Sequence, residues 1–230
     1  MTIRLLSGGA ANGLVSTIEP DFLAETGMGI TGEFGPVGIM RDRVEKGEHV
    51  DVLVLTRKII DQFAADGVVR SQSVQDVGSV ATSIAVRDGA ESVDVSTPDA
   101  LRTALLAASA IYFPDPEKAT AGIHFAGVLS KLGIDGEVAD RLELHPSGQH
   151  AMAAMAAEGD ARSIGCTQVT EILNTEGVRY VDELPEGCDL KTTYTAAVCT
   201  RSEAMREAER LVSMLTGPEN ESRRSEAGFK

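Results

Sequence analysis

The order of the first three units constrains this chain more than any other feature. Each unit is a short apolar run, a turn of small residues, and an amphipathic segment that stops at or near a glycine. Ile3–Leu6 is a strand candidate, and Leu14, Ile18, Phe22 and Leu23 then fall at helical spacing up to Gly27. Ile30–Phe34 reads as a second strand, followed by a helix over Val37–Lys46 that ends at Gly47. Asp51–Leu55 is a buried type of strand, and Lys58–Ala65 is a helix ending near Gly67. A βαβαβα order implies a parallel sheet with helices on its faces.

The alternation continues with one change of rhythm. Ser79–Arg87 is a longer extended run with little punctuation, and Tyr194–Thr200 is a second. Between them, Thr97-Pro98-Asp99-Ala100 supplies an N-cap and a proline at the first helical position, opening a helix to about Ala108. Ala110–Phe113, Arg141–His145, Ser163–Cys166 and Arg179–Asp182 read as strands. Gly122–Leu132, Gly148–Ala157 and Thr167–Leu173 read as helices. Glu203–Leu215 is a helix, and Gly217-Pro218 restarts a last charged one. The two long extended runs are expected to be a pair of crossing strands linking two lobes. Lobe 1 then takes residues 1–80 plus 198–230, lobe 2 takes 81–197, and a cleft lies between them.

Composition removes several classes of function. The chain has 230 residues, enough for one large or two small domains, and a formal net charge of -14, which disfavours nucleic acid and anionic membranes. Aromatics are 4% with no Trp, which argues against a stacking surface for single strands and against an aromatic sugar cleft. Cys166, Cys188 and Cys199 are odd in number and widely spaced, so they read as buried small hydrophobes and not as a disulfide framework or zinc site. His49, His124, His145 and His150 show no metal spacing, and neither a metal nor a cofactor is expected. No run of roughly 20 apolar residues is present, so no membrane insertion is expected. Only Leu5 and Leu6 follow Arg4, far short of the roughly 7–15 apolar residues of a secretory h-region. The chain as it stands reads as cytoplasmic, and as periplasmic if it begins after a removed signal.

Open parallel sheets bind ligands beyond the carboxyl ends of their strands. The segments there are Ser7-Gly8-Gly9, Gly35-Pro36-Val37-Gly38, Thr56-Arg57, Pro114–Gly122, Ser147-Gly148-Gln149 and Thr167-Gln168. Several are small or hydroxyl-bearing and several lead into a helix, whose N-terminal amides suit an anion. Ser7, Thr56, Thr120, Thr167 and Gln168 are the side-chain donors expected there, and Arg57 offers a bidentate fork for a carboxylate or oxyanion. Such loops also occur in any α/β fold as simple caps and turns; six of them on one side favour a site. No phosphate-loop or dinucleotide fingerprint is present.

Taken together, "LLSGGAANGLV", "DVLVLTRKIIDQF", "FPDPEKATAGIHFAGVL", "IGCTQVTEIL" and the terminal "AERLVSMLTGPENESRRSEAGF" resemble the type II periplasmic binding proteins, in the molybdate-binding branch of ABC-transporter solute receptors. The resemblance spans nearly the whole chain in order. It implies a two-lobed α/β fold, two mixed sheets flanked by helices with a cleft between lobes and two crossing strands. It also implies a small anionic ligand, and the strand-end loops give Ser7, Gly8, Gly9, Gly35, Val37, Thr56, Arg57, Lys118, Thr120, Ala121, Gly122, Ser147, Thr167 and Gln168 as the residues expected to hold it. Ser7 matches the family's first-loop serine donor, and Ala121 the alanine whose backbone N–H donates. The second-loop serine is missing at Gly35–Gly38, and the tyrosine donor of the fifth motif is replaced near Gln168. Arg57 and Lys118 add charge that a neutral oxyanion cage does not need; facing the site, they would point to a di- or tricarboxylate. An ABC permease is the expected partner if the chain is exported, and the chain is expected to be a monomer. Some proteins similar to this family isomerise unsaturated tricarboxylates such as aconitate. In that alternative His124, Lys118 or Glu171 would be the base and Arg57 a stabiliser of the enediolate.

Overall fold

The computed structural model describes residues 2–230. In chain order the elements are β1 (Thr2–Gly8), α1 (Asn12–Thr26), β2 (Gly29–Gly35), α2 (Val37–Glu45), β3 (Val52–Thr56) and α3 (Arg57–Ala65). There follow β4 (Gln75–Arg87), α4 (Pro98–Ala107), β5 (Ile111–Pro114), α5 (Thr120–Lys131), α6 (Asp135–Val138), β6 (Leu142–His145) and α7 (Gly148–Glu158). The chain ends through β7 (Ile164–Gln168), α8 (Val169–Leu173), β8 (Val178–Glu183), β9 (Lys191–Val198), α9 (Met205–Thr216) and α10 (Glu221–Glu226).

These elements form two compact units. Unit 1 is Met1–Val80 with Thr192–Lys230, and unit 2 is Ala81–Lys191. The chain passes between them twice, within β4 and at the head of β9. The sequence-based boundary at 197/198 falls inside the pairing of β9 with β3, which runs from Tyr194 to Val198 and keeps these residues in unit 1.

In unit 1, β1 lies between β2 and β3 and runs parallel to both, as the βαβαβα order requires. β9 returns antiparallel on β3 and makes the sheet mixed. Ile3, Leu5 and Val52–Leu55 are fully buried, and α1 buries Leu14, Val15, Ile18 and Phe22 in the same unit. Leu23, expected on that stripe, is half exposed. It follows Phe22 by one residue, a turn of about 100° around the helix axis, and so rotates off the buried face. Gly27 ends α1 in the left-handed conformation, φ 71°, which its lack of a Cβ permits.

Unit 2 has the strand order β8-β4-β7-β5-β6, with β5, β6 and β7 parallel and β4 antiparallel to both neighbours. Its residues alternate between two cores, one on each face of the sheet. Ile84, Ile111, Phe113, Ile164 and Cys166 pack with Leu101 and Leu105 of α4 and with Phe125, Val128 and Leu129 of α5. Ala85 and Tyr112 pack on the other face with Ala151, Met152 and Met155 of α7 and Ile172 of α8. Both faces are therefore covered by helices, and the carboxyl ends of β5, β6 and β7 carry the loops that lead into α5, α7 and α8. The three cysteines are free and buried; burial raises Cys166 well above an ordinary thiol, and burial with the nearby Asp51 charge pushes Cys199 up to about 12.

Candidate functional site in the strand-end loops

Unit 1 presents its loops after β1, β2 and β3. Ser7 is fully buried on the central strand, opposite Phe34 of β2 and Val54 of β3, and its Oγ donates to the Gly8 carbonyl at 2.8 Å. Gly8 is held tightly: a Cβ there would meet Tyr194 Cε1 at 2.6 Å and Val37 Cγ1 at 2.9 Å. The strand-end backbone of β1 thus lies against the start of α2 and a buried tyrosine of β9. Gly9 opens a single 3₁₀ turn before α1. Gly35 packs on Met40, and Pro36 precedes Val37 at the first position of α2. The helices α1, α2 and α3 all begin without a side-chain cap; even Thr56, placed as the cap of α3, makes no such bond. Their first-turn amides therefore have no side-chain acceptor from the capping residue.

Arg57 is paired within its own unit. Its guanidinium lies 2.7 Å from Asp76 and 3.1 Å from Asp61, and Asp76 also accepts from Thr195 Oγ1 at 2.6 Å. The Asp76 hydrogen bond, then the charges of Asp76 and Asp61, raise Arg57 further above its ordinary range. Two carboxylates already balance this one cation.

In unit 2 the loop after β5 is an Asx turn. Asp115 Oδ1 accepts from the N–H groups of Glu117 (2.7 Å) and Lys118 (3.2 Å), while the Asp115 N–H donates to the His145 carbonyl at 2.7 Å. The Asp-Pro-Glu-Lys order carried that signal in the sequence. Lys118 is exposed on the turn. Thr120 and the buried Ala121 and Gly122 open α5, whose cap, Ala119, has no side chain that can accept. Gly122 faces its own loop: a Cβ there would overlap the carbonyl oxygens of Pro114 and Asp115. His124 Nε2 bonds the Cys188 carbonyl at 2.7 Å.

The loop after β6 differs. Ser147 caps α7, with its Oγ 2.7 Å from His150 Nδ1. The remaining space at this helix start holds the side chain of Glu171. Its carboxylate accepts from Thr167 Oγ1 at 2.5 Å and from the backbone N–H groups of Gln168 and Gln149. Thr167 is fully buried and Glu171 nearly so. Desolvation raises the Glu171 carboxyl above its usual range, opposed by those three hydrogen bonds. Of the remaining histidines, His145 stacks on Tyr112 with centroids 5.9 Å apart.

Each unit thus gathers its own strand-end residues: Ser7, Gly8, Gly35, Val37 and Thr56 in unit 1, and Thr120, Ala121, Ser147, Thr167 and Gln168 in unit 2. The sequence did not reveal the partners that occupy several of them. Asp76 for Arg57, Cys188 for His124 and Gln149 for Glu171 are 19, 64 and 22 residues away along the chain. Among the described residues no cluster of three or more His, Cys, Asp or Glu is placed to hold a metal ion.

The profile of the bacterial extracellular solute-binding proteins matches residues 3–230. The chain belongs to that family. The solute-binding fold is equally plain in solved structures. The periplasmic molybdate-binding protein of Azotobacter vinelandii superposes with a TM-score of 0.78 at 15% identity, covering 99% of this chain and 98% of that one. The sulfate-binding protein SubI of Mycobacterium tuberculosis gives 0.74 at 18% identity, covering 100% and 86%. These structures bear out the expected α/β fold class, that of the periplasmic binding proteins. In sequence, the chain is 24% identical over 235 residues to an aconitate isomerase of a Pseudomonas species, covering 100% of this chain and 87% of the relative. Among the described residues of this solute-binding protein, no helix is long and apolar enough to cross a membrane.

Proposed function

We propose that this solute-binding protein takes a small anion, an oxyanion or a small di- or tricarboxylate, at its strand-end loops. The observation that carries the reading is the set of helix starts. α1, α2, α3 and α5 each follow the carboxyl end of a strand and begin without a side-chain cap. Amides so placed suit a bound anion, and their charge comes from peptide dipoles, which a distant net charge of -14 does not cancel. Ser7, whose hydroxyl proton turns from the Gly8 carbonyl to the ligand on binding, and the amide of Ala121 are the donors assigned first. Gly8, Gly9, Gly35, Val37, Thr56, Thr120, Thr167 and Gln168 join them in the proposed set. Arg57, balanced by Asp61 and Asp76, does not require a highly charged ligand. The molybdate- and sulfate-binding neighbours support an oxyanion.

A thermal-shift panel of molybdate, tungstate, sulfate and tricarboxylates tests the reading, since a ligand that binds only the folded state raises Tm. Ser7→Ala removes one donor to a charged ligand, worth about 1.5–3 kcal/mol, and is expected to weaken binding by roughly tenfold or more. A molybdate response untouched by Ser7→Ala would sink the assignment of Ser7.

The whole-length likeness to an aconitate isomerase supports a second reading, proton transfer on an unsaturated tricarboxylate. In it His124, Lys118 or Glu171 would be the base. Incubation with cis- and trans-aconitate in deuterated water, followed by NMR, decides: no exchange and no interconversion removes this reading for those substrates. With the binding reading go a monomer, checked by sedimentation, and an ABC permease as partner. The extracellular description of the family supports the periplasmic placement over the cytoplasmic one, and cell fractionation checks it.

A further inference from the structure

The start of α7 is already filled by an acidic side chain of the protein's own. The Glu171 carboxylate accepts from the N–H of Gln149, the second residue of α7, from the N–H of Gln168 at the end of β7, and from Thr167 Oγ1 at 2.5 Å. It fits there because residue 148 is glycine: any Cβ would overlap both Thr167 Oγ1 and Glu171 Oε2. A hydroxyl has one proton. While Glu171 is ionised, Thr167 donates that proton to the carboxylate, and its oxygen turns only lone pairs toward anything else. An oxyanion also brings only lone pairs, so the two repel.

The geometry points to Glu171 as a positioning residue that sets anion affinity through the direction of the Thr167 O–H. As a carboxylate it draws the Thr167 proton inward; as a carboxylic acid it donates to Thr167 Oγ1 and releases the Thr167 proton toward the ligand. No covalent step is involved, only one proton bound or lost at Glu171 with the hydroxyl reversing. The inference rests on the proposed role of Thr167 in anion binding. Burial favours the acid form in the range where the change matters, since desolvation raises this carboxyl. The elements packed against α8 are α7, β7 and β8. Their titratable groups are His150 and Glu158 on α7, Cys166 on β7, and Arg179, Tyr180, Asp182 and Glu183 on β8. No charged side chain is among the groups that shift Glu171; its perturbation is burial and the three hydrogen bonds.

The test measures sulfate affinity against pH, sulfate being a dianion throughout, for the natural protein, Glu171→Gln and Thr167→Val. In the natural protein, affinity is expected to fall roughly tenfold as pH rises through the Glu171 titration. Glu171→Gln, whose amide donates to Thr167 at every pH, is expected to hold the tighter affinity with a flat profile. Thr167→Val is expected to be flat at the weaker affinity, and serves if the glutamine variant does not fold. The same pH slope in all three overturns the proposal. In parallel, NMR follows the backbone amides of Gln149 and Gln168 without ligand. Both are expected to titrate together, with an apparent pKa above 4.5, in the natural protein and not in Glu171→Gln. Amides that do not titrate overturn the carboxylate clamp. Sulfate bound by no form at any pH, with the amides still titrating, overturns the link to affinity along with the oxyanion reading while the clamp stands.

Discussion

Gly148 shows how much a single missing methyl group permits. Its Cα sits where the Thr167 hydroxyl and the Glu171 carboxylate converge. Gly148→Ala must push one of them away, because neither is the far end of a side chain with room to move: Thr167 is fully buried and Glu171 is fixed by three donors. Overpacking of this kind costs about 1–3 kcal/mol. At about 2–4 °C per kcal/mol for a chain of this size, the Tm should fall by several degrees. An unchanged Tm for Gly148→Ala would show that the cluster opens freely and is not a clamp.

The same cluster makes a prediction with a definite sign. Burial in the folded state raises the Glu171 carboxyl above its ordinary range, so between the ordinary and the folded pKa the native protein binds more protons than the unfolded chain. Stability therefore falls as pH rises through this window, and the contribution is fully present below it. Chemical denaturation across the window should show this loss in the natural protein and a flatter curve for Glu171→Gln. Parallel curves would mean that Glu171 ionises as readily in the fold as in the unfolded chain.

At the scale of elements, α4 offers the cleanest check on local reasoning. Thr97 Oγ1 accepts from the Ala100 N–H at 3.1 Å and Pro98 takes the first helical position, as the sequence indicated. Thr97→Ala should cost about 1 kcal/mol, read as a lower denaturation midpoint with an unchanged m-value. A variant with an unchanged midpoint would mean that α4 is held by Leu101 and Leu105 alone. Elements like this were legible because their signals are local: a cap, a proline, a period of 3.6 or 2. The direction of the long strands was not. Ser79–Arg87 is apolar enough to be central in a sheet, but an apolar run has no arrow, and β4 proved antiparallel to both β7 and β8. The candidate site was legible to the same extent. The loops could be found because they follow strands and precede helices. The pairings that decide what each loop can offer, such as Arg57 with Asp76 or Glu171 with the Gln149 amide, depend on contacts between separate elements, and no spacing in the sequence encodes them.

At the scale of the molecule, the division into units has a consequence for folding. Unit 1 is built from both ends of the chain: the Lys230 N–H and carbonyl exchange hydrogen bonds with Ser79 at 2.9 and 2.7 Å, and Phe229 packs edge-on to Tyr194. Unit 2 is one continuous stretch, Ala81–Lys191, with a core on each face of its sheet. Every pairing of β4 with β7 and β8 lies between Thr82 and Arg87, so a cut before Ala81 removes none of them. A segment of this size can bury enough surface to fold alone. The excised 81–191 segment should therefore unfold in a single cooperative thermal transition and keep its near-ultraviolet signal from Tyr112 and Tyr180. A segment that binds a hydrophobic dye and melts without a transition would show instead that unit 2 depends on the rest of the chain. Unit 1 cannot be excised as one piece, since its first 80 residues lack β9, the strand that pairs with β3. Folding of the whole chain then has a natural order: unit 2 can form as soon as it is synthesised, while unit 1 must wait for Thr192–Lys230.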